Sequence, residues 1–435
     1  MKSRALRRTA LLAGVATTAI VLAGCAGGAD AGDSTEGDGP VTITVATFND
    51  FGYAPFIEEF MKENPDIKVV EKISGGSDES RENMLNFLGQ DSGLSDIEAV
   101  EVDWLSELMQ YSDRFVDLTD PELEGRWIDW KQSQATDAEG RVIGYGTDIG
   151  PQGIAYRADL VEAAGLPSER EAFAEYLGGA DATWDRYFEV GAEFVANSPT
   201  GATWFDTVQG VYMAQVNQLE NAYEENDGTP IDLEGSDVEE IFTTILEHGT
   251  EGGQSAGVGQ WTGDWDAYYN KDDGFATIMA PGWMLNIIKD RAGADFAGWD
   301  IADVLPGGGG NWGGAFLTVP TQSKHPEEAK KLAAYLTSPE VQLQLFLNQG
   351  TLPSTVEALA SEELKGATDE WFNNAPVGQI LSNRADAVTV VPYKGASYKK
   401  IHDVIVNGMN RVDVEKTQGI DESWDQVLSE LGSLN

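Results

Sequence analysis

Two short runs place a tryptophan where a loop should leave a strand: Ala280-Pro-Gly-Trp283, and Gly310-Asn-Trp312-Gly313-Gly314. An indole is a flat apolar platform, and flanking glycines allow backbone to come close to whatever lies on it. Such a platform suits a ring with an apolar C–H face and a rim of hydroxyls, such as a pyranose, if polar groups are fixed around that rim. The covered aromatic area supplies energy and the rim supplies discrimination. Each indole can also be read as an ordinary core or inter-helix tryptophan. A third run, Gln260-Trp261-Thr-Gly-Asp-Trp265-Asp-Ala-Tyr268, mixes rings with acids and a turn. Trp261 and Trp265 are candidates for platform or packing, as is Trp104 at the start of a helix. Trp127, Trp130, Trp184, Trp299, Trp371 and Trp424 read as packing.

For the rim, Asn49 and Asp50 close the first strand-like run, Asp103 closes the third, and Asp148 lies in Thr147-Asp-Ile-Gly-Pro151. All four fall in loops at strand ends, and each can instead cap the helix that follows. Ser77, Asp78 and Arg81, in a glycine-rich loop, are weaker candidates, and Tyr393 reads as packing. Catalytic signals are poor. Gly253-Gln-Ser255-Ala-Gly257 fits the nucleophile-elbow pattern, but a helical run rather than a strand precedes it. Three scattered histidines and one cysteine make no zinc site, and there is no phosphate-binding glycine loop. A glycoside hydrolase needs only two carboxylates, so 73 acidic residues leave that alternative standing. A cationic ligand such as a polyamine, caged by carboxylates and rings, is the other. No cofactor and no metal are expected.

The elements that must position these residues follow a rhythm. Strand-like runs at 41–46, 67–73 and 97–102 alternate with amphipathic helices, which predicts βαβ units in a parallel sheet. Further strands are expected at 142–146 and 275–279. Helices are expected at 184–196, 207–219, 238–248, from Pro326, from Pro339 to Asn348, and at 398–409 and 424–431. Ser338-Pro339-Glu340 has the order of an N-cap, first helical residue and acidic first turn. Leu305-Pro-Gly-Gly-Gly-Gly310 marks a second crossing between domains, after the first at 147–151.

The amino-terminal stretch reads as an address. Lys2, Arg4, Arg7 and Arg8 precede an apolar run from Ala10 to Leu22, too short to span a bilayer and right for a signal peptide (1–24). It ends in Leu22-Ala-Gly-Cys25, the single cysteine of the chain. Small residues before a cysteine resemble the bacterial lipobox, in which that thiol takes a diacylglyceryl group. Residues 25–40 hold no large apolar side chain and form a flexible tether. Net charge is −45 over 435 residues, and loss of the four leader cations takes it to −49. Such a surface repels nucleic acid and phosphorylated ligands.

Taken together, these segments resemble one family. Val142 to Leu160, VIGYGTDIGPQGIAYRADL, is similar to the segment of carbohydrate-binding extracellular solute-binding proteins (family 1) that crosses from the first lobe into the second. Ala280-Pro-Gly-Trp283, Gly310 to Pro320 and the paired helices through Pro353 resemble its later motifs, in order. The resemblance implies a bilobal, type II periplasmic-binding-protein-like α/β fold with a three-crossing hinge. Lobe one would be 41–149 plus 305–354, and lobe two 150–304 plus 355–435. It also implies a binding component rather than an enzyme. That component would be a monomer on the outer face of the cytoplasmic membrane, held through its lipid anchor only. It would pass an oligosaccharide to ABC permease subunits served by a cytoplasmic ATPase. Within the family, GTDIGPQ, PGWML and NWGGAFLTVP look closest to cellobiose and cello-oligosaccharide binders of Gram-positive bacteria.

Overall fold

The structure, a computed structural model, describes residues 39–434. The leader, Cys25 and all but the last residues of the tether lie outside the described residues. Among the described residues no helix is long and apolar enough to cross a membrane.

Two sheets organise the body. The first contains β1 (Val41–Phe48), β2 (Ile67–Ser74), β3 (Ile97–Glu101), β4 (Gly144–Gly146) and β9 (Ala315–Thr318), in the order β2-β1-β3-β9-β4. The second contains β5 (Gln152–Arg157), β6 (Thr203–Phe205), β7 (Phe275–Pro281) and β8 (Trp299–Ala302), in the order β6-β7-β5-β8. Ten of the helices concern the site: α1 (Ala54–Glu63), α2 (Ser77–Gln90), α3 (Val102–Met109), α4 (Asp129–Gln134), α5 (Val208–Val216), α6 (Gly282–Ala292), α7 (Pro326–Leu336), α8 (Pro339–Gln349), α9 (Tyr398–Asp413) and α10 (Ile420–Leu431).

Side-chain patterning accounts for these layers. β1 alternates buried and half-buried positions from Ile43 on, and β7 is buried throughout, as a strand covered on both faces must be. One face of the first sheet packs Ile43, Val45 and Ile97 against Ile57 and Phe60 of α1 and Leu332 and Leu336 of α7. Its other face packs Val100 and Phe316 against Met84 and Leu88 of α2 and Leu105 and Leu108 of α3. The second sheet has its own, larger core, to which Phe242, Ile405, Met409 and Trp424 contribute. Ser338 accepts a hydrogen bond from the Val341 amide (3.3 Å) at the start of α8, and Gly350 ends that helix at φ +75°.

The expected parallel rhythm holds for β2, β1 and β3. It fails elsewhere. β9 runs antiparallel to β3 and β4, and β5 is antiparallel to both β7 and β8. The reason is connectivity: a strand that arrives from the other sheet through a short crossing enters from the opposite end, without the helical return a parallel neighbour needs.

The crossings are stitched together. The Gln152 amide donates to Gly310 O (3.0 Å), Trp312 N to Gly150 O (2.7 Å), and Gly150 N to Asn311 Oδ1 (2.8 Å). The segment after α8 joins them through Ile149 N to Leu352 O (3.0 Å), before the helix Val377–Asp386 packs on β5.

Candidate ligand-binding site

The indoles of Trp261, Trp283 and Trp312 meet beside these crossings. Trp283 is carried by the first turn of α6, directly past the end of β7, and Trp312 by the crossing between β8 and β9. Their rings are 5.0 Å apart, edge to face, and Trp283 Nε1 donates to Trp312 O (3.3 Å). Trp261 lies over Trp283 at 6.3 Å and 29°, and 6.4 Å from Trp312. Trp312 is 7% exposed and Trp261 50%. Trp261 also takes a φ of +64°, a region that costs a bulky side chain on the order of 1–3 kcal/mol and is maintained only where surrounding structure requires it.

Glycine is required here by space. A Cβ on Gly150 would lie 1.8 Å from Trp312 O, and one on Gly314 would lie 2.6 Å from Asp148 O and 2.8 Å from Lys131 Nζ. Gly313 borders Trp283, with Nε1 at 3.4 Å from its Cβ position. These glycines therefore bring parts of the hinge onto one another and set the indoles in place.

The remaining sequence candidates separate. Asp148 is buried, and its Oδ1 accepts from Thr147 Oγ1 (2.6 Å) and from the Ala315 amide (2.9 Å), so it braces the crossings. Asp103 is buried in an ion pair with Lys394, which with its neighbours holds the carboxyl below its ordinary range although burial opposes this. Asn49, at φ +59°, and Asp50, which accepts from Gly52 N (2.7 Å), are exposed at the end of β1. Trp104 and Trp265 have no exposed surface. Trp104 Nε1 donates to Ser77 Oγ (2.9 Å) and Trp265 Nε1 to Asp206 Oδ2 (2.9 Å), and Trp265 supports Trp261 edge-on at 4.9 Å. Ser255, in the elbow-like run, donates to Asp413 Oδ2 (2.7 Å), not to a histidine.

The fold also gathers polar groups that sequence reading passed over. Gln260, beside Trp261, is buried with both amide atoms lacking a hydrogen-bond partner among the described residues, as are Asp206 Oδ1 and both amide atoms of Gln152. Gly210 lies between the first two, its Cβ position 3.3 Å from Asp206 Oδ1 and 3.5 Å from Gln260 Nε2. Buried polar atoms left without partners cost about 1–3 kcal/mol each, which a ligand's hydroxyls can recover. Burial pushes the Asp206 carboxyl up to about 7. Lys131, also buried, has its Nζ 3.8 Å from the Phe316 ring centroid, and burial pulls it down to about 8 against the pull of Asp148 and Glu101. The sequence signal that would have found Gln152 and Gln260 is slight: a glutamine one residue past Pro151, and one just before Trp261.

A cavity of about 660 Å³ opens nearby between Leu285 and Lys289 of α6, Phe346 to Gln349 of α8 with its cap Gly350, and Trp371. No predicted residue lines it. The ring of Trp261 instead lies against those of Trp283 and Trp312.

Residues 56–372 match the family model described as bacterial extracellular solute-binding protein. The chain belongs to that family. It is therefore a binding protein rather than an enzyme, and the hydrolase alternative falls. This solute-binding protein is 24% identical over 420 residues to the arabinooligosaccharide-binding protein of Bacillus subtilis (strain 168), covering 92% of each chain. Among solved structures it is similar to an extracellular solute-binding protein of family 1, with 43% identity, a TM-score of 0.81, and coverage of 91% and 99%. The binding protein of B. animalis subsp. lactis Bl-04 in complex with beta-1,6-galactobiose shares the fold at a TM-score of 0.73, 18% identity, and coverage of 90% and 97%. Maltose-bound T. maritima MalE3 does so at 0.70, 18% identity, and coverage of 91% and 100%. The fold is accordingly the bilobal α/β fold of these proteins.

Proposed function

We propose that this protein is the lipid-anchored capture component of an ABC sugar importer, binding an uncharged oligosaccharide between its lobes. Cello-oligosaccharides are the first choice. The observation that carries the reading is the indole cluster of Trp261, Trp283 and Trp312 beside buried, unpartnered amides of Gln152 and Gln260. Flat rings and vacant hydrogen-bonding groups are the two things a pyranose requires. An uncharged ligand is favoured over a polyamine because two buried acids that could cage a cation are not free anions: Asp103 is paired with Lys394, and burial raises Asp206 to about 7.

In this reading a sugar ring stacks on Trp283 and Trp312, and the lobes close over it because contacts made only in the closed form stabilise that form. Trp261 covers the same faces, so it moves aside or onto the sugar as the ligand enters. Cys25 carries the anchor, residues 26–40 the tether, and the closed body is presented to permease subunits at the outer face of the cytoplasmic membrane.

Calorimetry against cellobiose, cellotriose, an arabino-oligosaccharide, beta-1,6-galactobiose, maltose and spermidine tests the ligand class. Saturable binding of an uncharged oligosaccharide, recovered uncleaved, is expected, with the cello-series strongest. Binding of spermidine alone would overturn the sugar, and a preference for another glycan would overturn the cello-series. Metabolic labelling with a radioactive fatty acid, in the native chain and in Cys25→Ser, tests the anchor, since only the cysteine form should take the label.

A further inference from the structure

The two lobes touch through charge. Lys394, Lys399 and Lys400 stand within seven residues at the start of α9, in lobe two, and all three face acids of lobe one. Lys394 pairs with Asp103, Lys399 with Asp78 (2.8 Å) and Lys400 with Glu107 (2.9 Å). Ser106 Oγ adds a hydrogen bond to Gly395 O (2.7 Å). Glu107 is held from behind by Arg81 (2.6 Å), and Lys399 by Asp403 of its own helix (2.5 Å). In a chain with 28 basic against 73 acidic residues, this concentration of cations on one seam differs from the general surface.

The position of the seam decides what it does. Asp78 starts α2 at the carboxyl end of β2, and Asp103 starts α3 at the carboxyl end of β3. That is the edge of the sheet on which ligands sit in such folds. The crossings leave from β4 and β9, whereas Asp78 follows β2 at the far edge of the order β2-β1-β3-β9-β4; α3 lies between them, its Val102 amide donating to Gly314 O (3.1 Å) and its Trp104 holding Ser77 beside Asp78. A hinge opening about the crossings pulls these pairs apart, and closure brings them together.

We propose that Lys399 and Lys400, with Asp78 and Glu107, form an ionic latch that holds the lobes closed and so makes the affinity for an uncharged ligand depend on ionic strength. The sign is distinctive. Two acidic lobes repel each other, and salt screens that repulsion, so without a latch added salt should favour closure and tighten binding. With the latch, salt screens short-range attraction in pairs that each leave one partner exposed, Asp78 and Lys400, and binding weakens. The apparent affinity follows the fraction of the protein able to close. The latch deepens the capture reading above and rests on it.

The test uses the full chain with the ligand that the calorimetric panel identifies. Raising sodium chloride from about 20 mM to about 500 mM is expected to weaken binding about three- to tenfold. In the double variant Lys399→Ala, Lys400→Ala, affinity at low salt falls by a similar factor, and the salt dependence flattens or reverses. Exchanging the charges in Asp78→Lys, Lys399→Asp restores part of the low-salt affinity that Lys399→Asp alone loses. Small-angle scattering of the ligand-free protein should show a larger radius of gyration for the double variant, independently of any sugar. Binding that is indifferent to salt or tightens with it in the native chain overturns the latch and leaves sugar capture intact. So does a double variant with the native slope. Absence of binding to every sugar overturns capture itself, while the scattering comparison still tests the latch.

Discussion

Removing the ring of Trp283 tests the platform directly. The side chain is only partly buried, leans edge-on against Trp312 at 5.0 Å, and donates one long hydrogen bond to Trp312 O (3.3 Å). A pyranose face stacked on an indole removes on the order of 60 Å² from water on each partner, and at about 25 cal/mol/Å² this gives about 3 kcal/mol. Ordering of the ligand and of the neighbouring rings takes back about half. Trp283→Ala should therefore weaken binding by at least about tenfold, roughly 1.4 kcal/mol. Trp283→Phe, which keeps a smaller platform, should lie between. Calorimetry with cellotriose measures the loss, and differential scanning calorimetry establishes that the variant folds. A native dissociation constant in a folded Trp283→Ala variant would remove Trp283 from the site, and with it the stacking argument for Trp312.

Three further outcomes follow from the same geometry. Among the twelve tryptophans, Trp261 is the exposed one, so sugar binding should shift the fluorescence emission to shorter wavelength, and Trp261→Phe should abolish most of that shift; an undiminished shift would assign it to another indole. Gly150→Ala should cost about 2–4 kcal/mol in urea unfolding, because its methyl group meets Trp312 O at 1.8 Å and the crossing must move; a loss below about 1 kcal/mol would show the hinge to be more compliant than its packing suggests. Burial raises the folded carboxyl of Asp206 to about 7, so it takes up protons that the unfolded chain, near 4, does not, and its contribution to stability is lost as pH rises from about 4 to 7. Asp206→Asn removes that titration, so its melting temperature relative to the native chain should rise between pH 5 and pH 8, and a difference independent of pH would refute the assignment.

Much of the first sheet and its helices was legible in the residues. β1, β2, β3 and the helices after them appear where alternation and amphipathic spacing place them, because each is a local element with one apolar face. Ser338-Pro339 and Gly350 delimit α8 through chemistry that operates within a few residues. β5, β6, β8 and β9 were not predicted; β6 has three residues and β8 and β9 four each, too few to show a period, and the six residues of β5 are all buried and show no alternation. Helix α9 was legible, but not that its lysines face Asp78, Asp103 and Glu107, since those partners lie some 290–320 positions away in the chain.

The sequence by itself determined the order of the parts, the kinds of residue available to hold a ring, and the acidity that disfavours anionic partners. Tertiary structure decided which tryptophans meet. Trp104 and Trp265 carry the same side chain as Trp283 and occur in equally suggestive runs, yet they are sealed in cores, each with its indole nitrogen satisfied. The physical reason is that an indole's role depends on what covers its faces, and those neighbours come from strands and crossings far apart in the chain. The same holds for Gln152 and Gln260, unremarkable as letters, whose buried amides, without partners among the described residues, exist only once distant parts of the chain have folded over them.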